Sequence, residues 1–249
     1  MPPFLFSGDS PQRRECRGGH RRGSRPTIGG VTREFRLAGD GPSASLHGAG
    51  ATVVVLGHGA GGNRRNAMLR SMAEALAASG RAALLYNFPY SEAGSRRPDA
   101  PAVLEATTRA AGALALEATR ASRIVHGGRS MGGRIASQVL ASPAPPDVHG
   151  LVLLGYPLHP PGQPEKLRAA HLPALHAPTL VVQGARDEFG DEGEVRTAFA
   201  AVPAPVAWHV VAGGDHSFKV RRREGPGQAE VLAALYDAVA AWVLARHRP

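Results

Sequence analysis

The sequence predicts a single α/β domain built around a buried, mostly parallel central sheet flanked by helices. Two patterns indicate this class: short apolar runs bounded by Gly and Pro alternate with Ala- and Leu-rich helical stretches, and 43% of the 249 residues are hydrophobic. Strands that are each followed by a helix are typical of repeated βαβ units, whose parallel strands are buried on both faces. We expect this domain to span residues 31–249.

The predicted elements follow one another in a regular order. Residues 31–37 alternate between polar and apolar side chains and predict an antiparallel edge strand. Strand–helix pairs come after it, at 51–56 with 67–78, 82–88 with 102–116, 123–126 with 131–140, 151–154 with 165–172, 180–183 with 192–200, and 206–211 with 228–246. Residues 1–30 are rich in Gly, Arg, Pro and Ser without apolar periodicity, so we expect a disordered basic leader there.

Composition and charge exclude several classes of protein. The single cysteine, Cys16, excludes an internal disulfide and a cysteine-based zinc site. No stretch reaches the ~18 uncharged apolar residues of a membrane helix, and no signal peptide is recognisable. The net charge is +9, but aromatic residues are only 5% and do not interleave with the basic runs. We therefore expect a cytoplasmic protein with no metal, cofactor, membrane or nucleic-acid partner.

The strongest motif is G-x-S-x-G, at Gly128, Ser130 and Gly132, between a predicted strand and a predicted helix. This context is typical of a nucleophile elbow, a turn so sharp that a Cβ two residues before or after the serine would collide with neighbouring elements. The serine hydroxyl is then exposed at a helix N-terminus, where backbone N–H groups stabilise developing negative charge. An ordinary Gly-rich turn is the alternative interpretation.

A serine nucleophile needs a base, and the base needs an orienting acid. Downstream strands end at Asp187 and then at His216, which gives the chain order Ser, Asp, His of hydrolases with this elbow. Two other acids compete with Asp187. Glu188 is expected to point elsewhere, and Asp215 is too close to His216 in sequence and is expected to shape the turn.

The loop at 57–62, GHGAGG, follows another predicted strand and predicts an oxyanion hole. We expect one N–H donor from Ala60 and the second from Met131, the residue after the nucleophile. The same loop matches the dinucleotide fingerprint G-x-G-x-x-G, but that fingerprint needs an acidic residue near the end of the next strand. No carboxylate occurs there before Glu92, so the oxyanion interpretation is favoured.

Together these segments resemble the α/β-hydrolase superfamily, and within it a small bacterial group related to dienelactone hydrolases and testis-expressed hydrolase-like proteins. The resemblance covers about residues 31–247, and it rests on 57–63 (GHGAGGN), 86–94 (YNFPYSEAG), 127–134 (GGRSMGGR), 186–190 (RDEFG) and 213–219 (GGDHSFK). It implies that Ser130 is the nucleophile, Asp187 the acid and His216 the base.

The expected function is that of a serine hydrolase cleaving small acyl esters or thioesters; a catalytically silent binding or scaffold protein of the same fold is the alternative. Only residues 156–178 separate two strands where a cap would enter, too few for a large cap domain, so we expect an open pocket. Arg96 and Arg97 either attract an anionic substrate or solvate a loop. Five aromatic residues are expected to form the pocket wall or, alternatively, to pack in the core: Tyr86, Phe88, Tyr90, Tyr156 and Phe218.

Overall fold

The computed structural model describes residues 32–221 and 227–245, which form eight strands and six helices. The predicted leader at 1–30 lies outside these residues. The strands are β1 Thr32–Arg36, β2 Ser43–His47, β3 Thr52–Gly57, β4 Ala82–Tyr86, β5 Arg123–Arg129, β6 Gly150–Leu154, β7 Thr179–Gly184 and β8 Val206–Val211. The helices are α1 Ala67–Ala78, α2 Pro89–Glu92, α3 Pro101–Thr119, α4 Met131–Leu140, α5 Glu192–Phe199 and α6 Gln228–Ala245.

All eight strands belong to one sheet, in the order β1-β2-β4-β3-β5-β6-β7-β8. Strands β3 to β8 pair in parallel, whereas β2 pairs antiparallel with both β1 and β4. The prediction of a mostly parallel α/β sheet with an antiparallel edge strand near residues 31–37 is therefore confirmed. The carboxyl ends of the parallel strands lie along one edge of the sheet, where ligands bind in open α/β folds.

The apolar runs of the central strands are continuous because both faces of the sheet are covered. Val54 and Leu56 of β3 pack in one cluster with α1 and α6, while Val53 and Val55 pack in a second cluster with α3 and the start of α4. Successive side chains of a strand point to opposite faces, so one strand serves both clusters.

Helix α6 has the length and composition of a membrane-spanning helix, the one such helix among residues 32–221 and 227–245. A core helix of a globular domain passes the same test. Here α6 buries a stripe with helical spacing against the sheet and α1, made of Val231, Leu235, Val239 and Val243.

Three elements differ from the sequence prediction, and one of them is the four-residue helix α2, which was not predicted. The predicted helix at 165–172 is absent; the connection from β6 to β7 contains only a short 3-10 helix, Leu172–Ala174. The backbone of this segment bonds to other parts of the chain instead: the Arg168 N–H donates to the Leu158 carbonyl at 2.7 Å, and the Arg168 carbonyl accepts from the Tyr156 hydroxyl at 2.8 Å. Strand β2 was not predicted, because its five residues, SASLH, lie between Gly- and Pro-containing segments and resemble a loop. The described chain between β6 and β7 holds no cap domain.

Candidate active site

Ser130 lies at the sharp turn between β5 and α4. Its backbone has φ 50° and ψ −118°, a conformation that non-glycine residues rarely adopt and that typically costs about 1–3 kcal/mol. Two backbone bonds hold the turn: the Ser130 N–H donates to the carbonyl of Leu154 on β6 at 2.9 Å, and the Arg134 N–H donates to the Ser130 carbonyl at 3.0 Å. The strained residue is thereby fixed between the sheet and the helix.

The glycines on either side of Ser130 allow this turn to contact β3 directly. A Cβ on Gly128 would lie 2.4 Å from the carbonyl oxygen of Gly57, and a Cβ on Gly132 would lie 2.4 Å from the same peptide. Backbone atoms at that distance must move apart. The steric explanation for the two glycines in G-x-S-x-G is therefore confirmed.

The structure brings Ser130, His216 and Asp187 into one hydrogen-bonded row. The Ser130 Oγ lies 2.8 Å from Nε2 of His216, and Nδ1 of His216 lies 2.7 Å from Oδ2 of Asp187. A carboxylate can only accept, so the bond to Asp187 assigns the ring proton to Nδ1. Nε2 is then free to accept the serine hydroxyl proton.

Asp187 is fixed by donors that the sequence analysis missed. Its side chain is fully buried; Oδ2 also accepts from Nε2 of Gln183 at 2.9 Å, and Oδ1 accepts from the Phe189 N–H at 2.9 Å. Gln183 further donates to the Gly190 carbonyl and accepts from the Tyr156 N–H, each at 2.8 Å. A glutamine at the end of the apolar strand TLVVQG was the one signal that pointed to this position.

The two competing acids lie where the sequence suggested. Asp215 uses Oδ1 to accept the N–H groups of Ser217 and Lys219, at 2.7 and 2.9 Å, and so shapes the turn that carries His216. Glu188 is exposed. Neither acid bonds to the imidazole of His216 within the described chain.

The 57–62 loop is held from below by a buried histidine. Nδ1 of His58 donates to the Gly59 carbonyl at 2.9 Å, and Nε2 accepts from the Phe88 N–H at 3.3 Å. Burial lowers the pKa of His58, which keeps the ring neutral and suits this pair of bonds. The Tyr90 hydroxyl donates to the same Gly59 carbonyl at 3.4 Å. The side chains of His58 and Tyr90 therefore hold the backbone of the loop next to Ala60.

Arg129, the residue before Ser130, also escaped the sequence analysis. Its Nη2 donates to the Ser217 Oγ at 2.9 Å, which ties the end of β5 to the turn that carries His216. Burial lowers the pKa of this guanidinium, and the charges of Asp187 and Asp215 act in the opposite direction. The Phe189 ring packs against the imidazole of His216, with the ring centroids 4.2 Å apart.

A cavity of about 420 Å³ opens beside Ser130 and His216. Its lining includes both predicted oxyanion residues, Ala60 and Met131. Apolar groups come from α3 and the segment just before it, from α4 and from the segments after β6 and β7, and charged groups from Asp99 and three arginines. These lining residues are Pro98, Pro101, Leu104, Ile135, Pro157 and Phe189, with Asp99, Arg129, Arg134 and Arg168.

The predicted aromatic wall is corrected by the structure, because all five side chains are buried and none lines the cavity. Tyr86, Phe88, Tyr156 and Phe218 are at most 1% exposed, and Tyr90 is 4% exposed. Their neighbours explain the burial: the Tyr86 hydroxyl bonds to Thr108, and the Tyr156 hydroxyl donates to the Arg168 carbonyl. Core packing, the alternative interpretation, holds for the whole set.

Arg96 and Arg97 are exposed and do not line the cavity. Among residues 32–221 and 227–245, no three His, Cys, Asp or Glu side chains lie together in a group that could hold a metal ion.

Ser130 follows a parallel strand in a strained conformation, and His216 and the buried Asp187 lie at the same edge of the sheet. This arrangement places the protein in the class of α/β proteins with a hydrolase-type site. A family model described as an alpha/beta hydrolase domain matches residues 50–244. The chain belongs to the α/β-hydrolase family.

Solved structures agree on the fold. A dienelactone hydrolase from Anabaena variabilis is 21% identical, with a TM-score of 0.67 over 86% of this chain and 97% of that chain. An alpha-beta serine hydrolase homologue from Coxiella burnetii is 19% identical, with a TM-score of 0.65 over 84% and 96%. A serine hydrolase without a lid from Xanthomonas campestris is 18% identical, with a TM-score of 0.64 over 85% and 94%. At these identities the likeness shows the fold.

Proposed function

We propose that this hydrolase cleaves small acyl esters or thioesters by nucleophilic catalysis at Ser130. The observation that carries the proposal is the unbroken row of bonds from Ser130 Oγ through the imidazole of His216 to Asp187, at 2.8 and 2.7 Å. A base within hydrogen-bond reach of the serine, itself oriented by a buried carboxylate, is the arrangement that makes a hydroxyl a competent nucleophile.

The reaction follows from these positions. Ser130 Oγ attacks the acyl carbonyl carbon while Nε2 of His216 takes the hydroxyl proton, which gives a tetrahedral oxyanion. Collapse breaks the bond to the leaving alcohol or thiol, which receives that proton from His216. A water molecule, deprotonated by His216, then hydrolyses the acyl-enzyme and regenerates Ser130.

The oxyanion in this scheme is bound by the backbone N–H groups of Met131 and Ala60. Met131 is the first residue of α4, so the partial positive charge of the helix N-terminus adds to its N–H. Ala60 borders the same cavity, in a loop whose backbone is bonded to His58 and Tyr90. A donor fixed before the substrate arrives needs no reorganisation during the reaction.

The volume of the cavity limits the size of the substrate. A volume of about 420 Å³ lies at the lower end of small-molecule sites, about 300–1,000 Å³, and suits a short acyl group better than a long lipid chain. Solved structures of similar fold include proteins titled dienelactone hydrolase and esterase, which is consistent with ester chemistry.

Labelling with a fluorophosphonate probe, alongside p-nitrophenyl acetate turnover, tests the proposal. Ser130→Ala and His216→Ala should each lose labelling and at least about 10³-fold in kcat. Ser122→Ala is the matched control, because this serine lies just before β5 at the opposite end of the strand and bonds only to the Ala51 carbonyl. Equal labelling of wild type and Ser130→Ala, or none in folded wild type, would refute the proposal.

A further inference from the structure

The charged groups that line the cavity do not balance one another. Three guanidinium groups face one carboxylate, that of Asp99. Asp99 is already engaged, since its Oδ2 accepts from the Tyr90 N–H at 2.9 Å, and Arg129 donates to Ser217. Arg134 and Arg168 also line the cavity, and neither forms an ion pair within the described residues.

Arg134 lies on the first turn of α4, four residues after Ser130, and both residues line the cavity. Its Nη1 donates to the uncharged Oε1 of Gln138 at 3.2 Å. Its Nε is buried and has no hydrogen-bond partner within the described residues. Glu105 on α3 is the carboxylate that acts on Arg134, but the two side chains do not form an ion pair in the described chain.

Arg168 approaches the same cavity from the connection between β6 and β7. Its backbone is anchored, because its N–H donates to the Leu158 carbonyl at 2.7 Å and its carbonyl accepts the Tyr156 hydroxyl at 2.8 Å. Its guanidinium has neither a hydrogen bond nor an ion pair in the part of the chain that the structure describes. Because its backbone is anchored and its guanidinium is unpaired in the described chain, Arg168 is suited to binding a ligand.

The charge of Arg168 acts on Arg134, and neither guanidinium is paired with a carboxylate in the part of the chain that the structure describes. The pKa of Arg134 is lowered first by burial and then by the charge of Arg168. The nearby His171 carries no charge: burial and Arg134 lower its pKa to about 4, so the ring is neutral, and it bonds to Ser137 at 2.8 Å. Two half-buried like charges are unfavourable until an anion lies between them.

We propose that Arg134 and Arg168 bind a carboxylate on the ester substrate, so that this enzyme prefers anionic esters to neutral ones of the same length. The inference rests on the proposed function, because it names the substrate class of the same site. Planar guanidinium groups bind carboxylates through paired, charge-assisted hydrogen bonds, which makes arginine the suitable residue for this role. The carboxylate belongs either to the acyl part or to the leaving alcohol, and the two are separable by experiment.

Hydrolysis of matched esters, followed by pH-stat titration, tests the preference. Monomethyl glutarate against methyl hexanoate examines a carboxylate on the acyl side, and 4-acetoxybutyrate against pentyl acetate examines one on the leaving group. We expect the anionic ester of one pair to have a kcat/KM about tenfold higher or more. In Arg168→Gln that ratio should fall about tenfold, the typical effect of one lost charge-assisted contact.

The ratio of two substrates in one preparation does not depend on how much of a variant is folded. Arg168→Lys should retain part of the preference. Arg70→Gln is the matched control: Arg70 is exposed on α1, does not line the cavity and, in the described chain, pairs with Glu74 at 3.9 Å, so the ratio of this variant should change less than twofold. An unchanged ratio for both ester pairs in Arg168→Gln would overturn the proposal.

Calorimetric titration of glutarate into Ser130→Ala separates this inference from the proposed function. Binding that is weakened about tenfold by adding Arg168→Gln, and absent for pentane-1,5-diol, supports the anion site even if no ester is cleaved. Absence of glutarate binding at millimolar concentration would refute it.

Discussion

Gly132→Ala is the sharpest test of how the nucleophile turn is packed. The added Cβ would lie 2.4 Å from both the carbonyl carbon and the oxygen of Gly57, about 1 Å closer than ordinary contact. Neither side can yield easily, because Gly57 pairs with Tyr86 and Gly128 on both sides in the sheet. Overpacking of this kind costs about 1–3 kcal/mol, or about 2–12 °C in Tm for a chain of this size.

Thermal unfolding followed by circular dichroism measures this effect, and Gly193→Ala is the control. Gly193 is the second residue of α5, as Gly132 is of α4, but its nearest neighbour, Oδ1 of Asp191, would lie 3.4 Å from a new Cβ. Alanine favours a helix over glycine by up to about 1 kcal/mol, so the control should keep or raise its Tm. A Gly132→Ala protein that melts within about 1 °C of wild type would refute the close contact between the turn and β3.

Three further predictions concern buried and titrating side chains. Gln183→Leu keeps the side-chain volume but leaves Asp187 without one donor and the Gly190 carbonyl unpaired. The Tm and the turnover of p-nitrophenyl acetate should therefore both fall. Unchanged turnover would contradict a role of Gln183 in positioning Asp187. Hydrogen bonds from Ser43 and then from Asn87 hold the pKa of Glu92 at about 2, below its usual 4.5. The contribution of Glu92 to stability is therefore present above about pH 4.5 and lost toward pH 2. The difference in Tm between the wild type and Glu92→Gln should shrink between about pH 6 and pH 3. A constant difference would contradict a lowered pKa of Glu92. Burial and Arg134 hold the pKa of His171 at about 4, against the usual 6.5, so the free energy of unfolding falls as the pH drops from about 6.5 to 4. Over that range the urea midpoint of His171→Gln should fall less than that of the wild type. An equal fall in both proteins would exclude this cause.

The sequence was sufficient to bring Ser130, Asp187 and His216 to the same edge of the sheet. In a parallel sheet the carboxyl ends of all strands lie at the same edge. Recognising three strands and the residues that follow them is therefore enough to predict that these three residues lie close together. The final distances of 2.7 and 2.8 Å depend on Gln183, Asp215 and Phe189, which fix the two turns. Gln183 and Asp215 act within their own turns, four and two residues from their partners, whereas the Phe189 ring joins its turn to that of His216, a contact that leaves no local pattern in the sequence.

The elements that were missed have weak local patterns for physical reasons. Strand β2 is stabilised by pairing on both sides, with β1 and β4, rather than by the propensity of its residues. The segment at 165–172 has a helix-compatible composition, but tertiary bonds from Leu158 and Tyr156 hold Arg168 in an irregular backbone. In both places non-local contacts outweigh local preference.

The aromatic residues show why a motif places a backbone more reliably than a side chain. The YNFPY segment does lie at the strand end beside the site, yet Phe88 and Tyr90 turn inward and pack against His58, with ring centroids 5.0 and 5.8 Å away. They support the 57–62 loop instead of contacting the cavity. From α4, the cavity is lined by Met131, Arg134 and Ile135. Because α4 begins at Met131, Arg134 lies on its first turn, and this position brings a guanidinium to the cavity beside Ser130. The proposed preference for anionic esters depends on that charge.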